Sequence, residues 1–166
     1  MGGGAGGAAA ETVPIVSQSA LKARAKRVKI AKSGIHAWGI FALENIDKDE
    51  FIIEYVGERI RQKVADRREA LYNSEGLNGA SYLFRLDDEM ILDATKCGNY
   101  ARFINHCCEP NAEAVIISVD GQKKIGIYAG RPIAMGQEIT YDYKFDFEDD
   151  KILCLCGAQH CRGYLN

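Results

Sequence analysis

From Ser33 onward apolar residues come in short, closely spaced runs rich in β-branched and aromatic side chains. Phe51–Val56, Tyr82–Leu86, Met90–Leu92, Val115–Val119 and Ile125–Ala129 are the clearest, and runs of this length and make-up predict strands. Asp87-Asp88 and Asp120-Gly121 separate neighbouring runs and predict hairpin turns. One segment, Gln62–Tyr72, has helical spacing and sets Val64, Ala65, Arg68, Leu71 and Tyr72 on a single face. The pattern is that of a mostly β domain with few short helices. Residues 1–20, small and polar, read as a flexible leader. Behind them Lys22, Arg24, Lys26, Arg27, Lys29 and Lys32, interrupted by Leu21, Val28 and Ile30, read as an edge strand guarded by lysines rather than as a nucleic-acid patch.

At 166 residues, 47% hydrophobic and 27% charged, the chain suits one globular domain and is too apolar for disorder. A formal net charge of −2 argues against a sequence-independent nucleic-acid binder. Sequence-specific nucleic-acid binding is not expected either. No run approaches the roughly 18 apolar residues of a membrane span. The opening residues lack the charged and aliphatic regions of a secretory signal, and Gly6 stands where a myristoylation signal wants Ser or Thr. A reducing location follows, so the six cysteines read first as metal ligands or reactive thiols.

Cys154-Leu155-Cys156 and Cys161 put three thiols within eight positions of a hydrophilic tail too short to bury them. A tetrahedral zinc site needs four ligands, so a fourth is expected from Cys108, Cys107, His106 or His160. A second cluster runs from Arg102 through Phe103, Ile104, Asn105, His106, Cys107 and Cys108 to a turn at Pro110-Asn111. His106 and Cys107, adjacent on an extended chain, point to opposite faces and make a poor nucleophile–base pair. In a third segment, Glu138–Phe145, alternation places Tyr141, Tyr143 and Phe145 on one face, where with Tyr82 and Phe84 they could wall an apolar channel. An aromatic core is the competing account. The turn Gly34–Phe41 lacks both the dinucleotide and the P-loop signatures.

Taken in order, these four segments resemble the SET-domain protein lysine methyltransferases over Lys22–Asn166. The finer details are His36-Ala37-Trp38-Gly39, Asp93-Ala94-Thr95, the double cysteine and the Gly163–Asn166 terminus. They look most like the COMPASS-type enzymes that methylate histone H3 on lysine 4. The resemblance implies a β-clip (SET) fold of short curved sheets, a knot-like core with one threaded segment, and a zinc-bound C-terminal post-SET segment. It divides the chain into a leader (1–20), a SET domain (21–149) and a post-SET segment (150–166). It implies S-adenosylmethionine as methyl donor, held by His36, Trp38, Gly39, Asn105, His106 and the Leu155 backbone, with Tyr82 closing the pocket. Cys108 would join Cys154, Cys156 and Cys161 around structural zinc.

The implied chemistry is in-line methyl transfer to an uncharged lysine amine, with Tyr143 as principal catalytic phenol, Tyr82 positioning the amine and Tyr141 in the tyrosine-or-phenylalanine switch position. A histone H3 tail or nucleosome would be the substrate, COMPASS-type adaptor subunits the partners and the nucleus the location, with no membrane involved. Cys107 replaces a common Ser and Ala112 a common Cys; neither position is a family zinc ligand. The acidic linker Asp146, Glu148, Asp149, Asp150 reads as a solvated loop, and the glycine-alanine start as the edge of a longer protein's catalytic piece. The rival readings are a catalytically weak or inactive SET-like zinc scaffold that binds histone or partner proteins, and a thiol or metallo-hydrolase, which lacks an evident base beside an open metal position.

Overall fold

Ten strands, two α-helices and one 3-10 turn pair into three small sheets in a computed structural model that describes residues 17–76, 82–145, 147 and 149–166. In chain order they are α1 (Gln18–Arg24), β1 (Val28–Lys32), β2 (Trp38–Ala42), β3 (Phe51–Tyr55), β4 (Gly57–Arg61), α2 (Gln62–Ser74), β5 (Leu83–Arg85), β6 (Met90–Gly98), the 3-10 turn Tyr100–Phe103, β7 (Asn105–His106), β8 (Ala112–Val119), β9 (Gln122–Ala129) and β10 (Glu138–Tyr141). The sheets run β1-β2-β10-β7, β3-β9-β8 and β4-β6-β5. The mostly β expectation holds, and each expected strand is present. β6 and β8 extend beyond their apolar runs because ladder pairing carries polar residues along with them.

Turn chemistry sets two of the registers. Asp120 and Gly121 both take left-handed backbone, the geometry that joins β8 to β9 without splaying a right-twisted hairpin. At the β5–β6 turn the Asp87 carboxylate accepts from the backbone N–H groups of Glu89 and Met90. β1 pairs only with β2, so Lys29 and Lys32 do lie on a sheet edge, as the basic stretch predicts.

Ile40 of β2, Ile52 of β3, Ile125 and Ile127 of β9, Ile139 of β10 and Ile104, just before β7, meet in one core at 1% exposure or less. A smaller cluster joins Leu21 of α1 to Phe51, Ile117 and Val119. The leader was expected to run to residue 20, but the helix begins at Gln18, capped by Ser17 Oγ accepting from Ala20 N. Burying Leu21 stabilises that helix by roughly 1.5–3 kcal/mol. Residues 1–16 lie outside the described residues.

Helix α2 falls where its spacing predicts, with a different inward face. Ala65 and Tyr72 are buried, whereas Val64 and Leu71 stay exposed. Buried Asp93 on β6 decides this, accepting from Arg68 Nη1 at 2.8 Å and from Tyr72 Oη at 2.7 Å. Those two bonds turn Val64 and Leu71 about a quarter turn off the contact. Among the described residues no helix is long and apolar enough to cross a membrane.

Candidate active site

The end of β10 delivers tyrosines into a ladder of rings. Tyr141 and Tyr143 have centroids 5.0 Å apart, and Tyr143 and Phe145 5.2 Å. Phe84 of β5 stacks on Tyr141 at 5.9 Å, and Tyr55 at the end of β3 lies 5.0 Å from Phe84. The strand itself stops at Tyr141, and Lys144 adopts left-handed backbone with its N–H on the Asp142 carboxylate. The three aromatics therefore share a face without a continuous extended segment beneath them. Tyr82 stands beside this ladder, its ring edge-on to Phe103 at 6.0 Å.

Tyr143 Oη donates to the carbonyl of Ile104 at 2.9 Å. Tyr141 is 7% exposed, and among the described residues its hydroxyl has no hydrogen-bond partner although no buried polar atom is left unsatisfied, so that oxygen faces accessible space. Burial pushes the phenols of Tyr55, Tyr141 and Tyr143 above the ordinary tyrosine range, and neighbouring phenols add to it. All three are neutral hydrogen-bonding groups at physiological pH. Tyr55 was not expected in this site; it lies at the end of a strand whose alternation carries no mark of its partners.

Asn105 and His106 form β7, which runs parallel to β10 with Thr140 opposite Asn105 and Tyr141 opposite His106. Both side chains are buried. Asn105 Nδ2 donates to Trp38 O at 2.9 Å, His36 O at 3.3 Å and Glu138 Oε1 at 2.8 Å. Three oxygen neighbours leave the amide one orientation, in which Oδ1 turns away from them. Among the described residues nothing donates to that Oδ1. That oxygen is an acceptor left open to a donor from outside the described residues, and a cationic amino group would suit it. The His36 side chain is exposed, and the Trp38 ring, 45% exposed, lies under Lys32 Nζ at 4.1 Å.

The approach that Gly39 permits here is that of Glu138, because a Cβ at Gly39 would overlap the Glu138 carboxylate. Glu138 also accepts from Ser33 Oγ at 2.8 Å, and Ser33 Oγ accepts from Ile35 N at 2.9 Å. Neither Glu138 nor Ser33 stood out in the sequence, because one more carboxylate at a strand start and one more serine in a turn carry no pattern.

His106 Nδ1 accepts the Tyr143 N–H at 3.2 Å, which leaves the ring proton on Nε2, 3.3 Å from Cys108 Sγ. Burial pulls His106 below the ordinary histidine range, consistent with that neutral tautomer.

Cys108, Cys154, Cys156 and Cys161 converge, with all four sulfurs within 4.8 Å of one another. Cys108 Sγ is 3.8 Å from Cys154 Sγ and 3.9 Å from Cys161 Sγ. Four sulfurs bound at about 2.3 Å around one tetrahedral centre stand about 3.8 Å apart, so the donor set fits zinc. Burial works against the Cys156 thiolate, but the backbone N–H groups of Cys108 and Ala158, with the neighbouring thiols, outweigh it and bring Cys156 down to about 6. Of the other candidates for fourth ligand, His160 pairs with Glu109 at 2.7 Å and Cys107 stays outside the set. Leu155, 55% exposed, projects from between two of the cysteines.

An open groove of about 670 Å³, lined among others by Ile53, Cys97, Tyr100 and Arg102, includes none of the ladder phenols. Asp146 and Glu148 of the acidic linker lie outside the described residues; Asp149 and Asp150 are exposed.

The family model described as the SET domain matches residues 37–144. The chain is 60% identical over 146 residues to histone-lysine N-methyltransferase SETD1A of Homo sapiens, covering 88% of this chain and 8% of that protein. It is 61% identical over 146 residues to histone-lysine N-methyltransferase SETD1 of Drosophila melanogaster, covering 88% and 9%. It is 62% identical over 148 residues to "Histone-lysine N-methyltransferase, H3 lysine-4 specific" of Schizosaccharomyces pombe, covering 89% and 16%. The chain thus spans less than a fifth of the length of these relatives.

Proposed function

The chain belongs to the SET-domain family, and from that premise we propose that it transfers methyl groups from S-adenosylmethionine to lysine 4 of histone H3. The observation that carries this reading is the pair formed by the buried Tyr141 and the half-buried Tyr143, ring centroids 5.0 Å apart and next to the Asn105–His106 strand. The printed names of its relatives support the histone lysine substrate. Residues 21–149 are the catalytic part and 150–166 a post-SET segment pinned by zinc on Cys108, Cys154, Cys156 and Cys161. The protein works in the nucleus on a histone tail or nucleosome, with COMPASS-type adaptor subunits as partners.

S-adenosylmethionine, when bound, supplies a methyl group activated by its sulfonium. The Asn105 amide and the His36 and Trp38 carbonyls would hold its amino-acid end, with His106, Gly39 and Leu155 contributing along the same pocket and Tyr82 closing it. A free lysine has a pKa of about 10.4 and is almost wholly protonated at neutral pH. The apolar rings of Phe84, Tyr141 and Tyr143 disfavour its ammonium and release the proton to solvent on entry. Tyr143, steadied by Ile104, then accepts a hydrogen bond from the neutral amine and fixes the direction of its lone pair, while Tyr82 limits its sideways travel. Because these phenols stay protonated, acceleration comes from desolvation and alignment rather than from a tyrosinate base.

The test is mass spectrometry of an H3 tail peptide incubated with the chain and S-adenosylmethionine, with and without adaptor subunits. Methyl transfer to lysine 4 that is lost in Asn105→Ala is expected. Peptide binding without transfer under both conditions would instead establish the scaffold reading.

A further inference from the structure

We propose that Glu138 is a positioning residue, holding the Asn105 amide in its donor-binding orientation and coupling it to the Ser33–Trp38 turn. The inference rests on the methyltransferase reading, since it assigns Asn105 Oδ1 to the amino group of S-adenosylmethionine. One carboxylate makes both connections. Glu138 Oε1 accepts from Asn105 Nδ2 at 2.8 Å and from Ser33 Oγ at 2.8 Å, while Oε2 lies 3.0 Å from the same Ser33 hydroxyl. Ser33 Oγ in turn accepts from the N–H groups of Ile35 at 2.9 Å and His36 at 3.4 Å. That turn carries the His36 and Trp38 carbonyls that Asn105 also touches. Gly39 is what lets the carboxylate reach this point, since a Cβ there would overlap it.

The logic is that of an amide with two ends and one correct answer. Flipped by half a turn, Asn105 would aim Oδ1 at three oxygens and offer N–H groups to a cationic amine, which repels them. The two backbone carbonyls favour the observed orientation, and the charged acceptor strengthens that preference because charge-assisted hydrogen bonds are about twice as strong as neutral ones. Glu138 is itself fixed as the first residue of β10, opposite Phe41 of β2. The segment that carries the channel tyrosines thus begins with the group that orders the donor pocket.

The experiment measures binding of S-adenosylmethionine and S-adenosylhomocysteine by calorimetry to the 166-residue chain, wild type against Glu138→Ala and Glu138→Gln. Steady-state kinetics with adaptor subunits run alongside. Glu138→Ala should weaken both ligands at least about tenfold and raise KM for the donor far more than it lowers kcat. Glu138→Gln, which keeps an acceptor oxygen, should recover most of the affinity. The Asn105 side-chain NH2 resonances should move toward free-amide positions in Glu138→Ala, a change that loosened packing elsewhere would not produce. Donor affinity within about twofold of wild type in Glu138→Ala would overturn the proposal while leaving the methyltransferase reading intact. A wild-type chain that binds neither ligand would overturn both. Should Glu138→Ala fail to fold, Ser33→Ala is read by the same measurements: it frees the carboxylate at one end, and unchanged donor affinity there counts against the coupling.

Discussion

The phenol of Tyr143 is tied to the carbonyl oxygen of Ile104 across 2.9 Å, joining the segment after β10 to the residue that precedes Asn105. A ring held at its tip cannot swing, so its remaining oxygen lone pairs keep a fixed direction. Tyr143→Phe keeps the ring and its contacts with Tyr141 and Phe145 but loses both the tie and the acceptor. Transfer should fall about a hundredfold or more, an alignment loss. Donor affinity, set by other residues, should change by less than about threefold. Single-turnover methylation with parallel calorimetry checks this, and an equal loss in both would assign Tyr143 to donor binding instead.

Tyr141 presents a hydroxyl with no partner among the described residues, in a site otherwise walled by rings. That hydroxyl takes up space and can hydrogen-bond an amine or a water, which disfavours an amine already carrying methyl groups. The isolated chain should therefore yield mainly monomethyl-lysine, and Tyr141→Phe should shift the products toward di- and trimethyl-lysine. Mass spectrometry of product states over time reads the outcome, and an unchanged distribution removes Tyr141 from this role.

Much of the ladder is legible in the sequence. Alternation in Tyr141, Tyr143 and Phe145 marked a shared face, and three thiols in eight positions demanded a fourth. What the sequence could not carry was partnership across distance. Ile104 enters the site through its carbonyl, which every residue possesses, and Tyr55 only because β3 ends beside β5. Glu138 matters because Gly39 has no Cβ, a relation between two residues 99 positions apart. The inward face of α2 differs from its apolar spacing for a related reason: the helix docks through the polar pair Arg68 and Tyr72 on Asp93, which a count of apolar positions ignores.

Raised phenol pKa values make the fold sensitive to alkali. Tyr55, Tyr141 and Tyr143 titrate above the unfolded value of about 10, so past that pH the folded chain holds more protons than the unfolded one. The stability these groups contribute is fully present below pH ~10 and declines as pH rises toward their folded values. Urea denaturation between about pH 9 and 11 should show falling stability, with a shallower decline in Tyr55→Phe. Absorbance at 295 nm should detect these three phenols only on unfolding; their ionisation in the native state would contradict the burial argument.

Asp93 governs the opposite end of the pH scale. Burial raises its pKa, but Arg68, the Thr95 N–H and Tyr72 together outweigh this and hold it below the ordinary carboxylate range. Its contribution is therefore present at neutral pH and lost as pH falls through the folded value, below about 3.9. Asp93→Asn strips the charge from a side chain 1% exposed and leaves Arg68 with Glu58 alone. Breaking such a pair costs about 3 kcal/mol, less here because Arg68 is partly solvated. Urea denaturation at neutral pH should register that loss, and a variant as stable as wild type would show that α2 docks without this contact.

The C-terminal segment has little apolar burial of its own, so its order should depend on metal. Ile152, Leu153, Leu155 and Tyr164 are all exposed, and the internal ties are hydrogen bonds, among them the Leu153–Tyr164 bridge, Cys154 N to Gly163 O, Leu165 N to Ile152 O and the bonds of Asn166 to Ile152 N and Asp150 O. Contact with the body runs through Cys108, through Arg162 on Asp142 at 2.8 Å and through the exposed His160–Glu109 pair. Exposed ion pairs contribute at most about 1 kcal/mol each, whereas a four-thiolate zinc site contributes about 10 kcal/mol or more. Chelation, or Cys108→Ser, should release one zinc per chain and open Lys151 and Arg162 to trypsin while the core resists cleavage. Donor binding should weaken in step, because His106 Nε2 faces Cys108 Sγ at 3.3 Å and loses that anchor when the sulfur is freed. Elemental analysis, limited proteolysis and calorimetry on the same samples test each step. A metal-free chain whose tail still resists trypsin would mean that hydrogen bonds suffice and that the four sulfurs are not its staple.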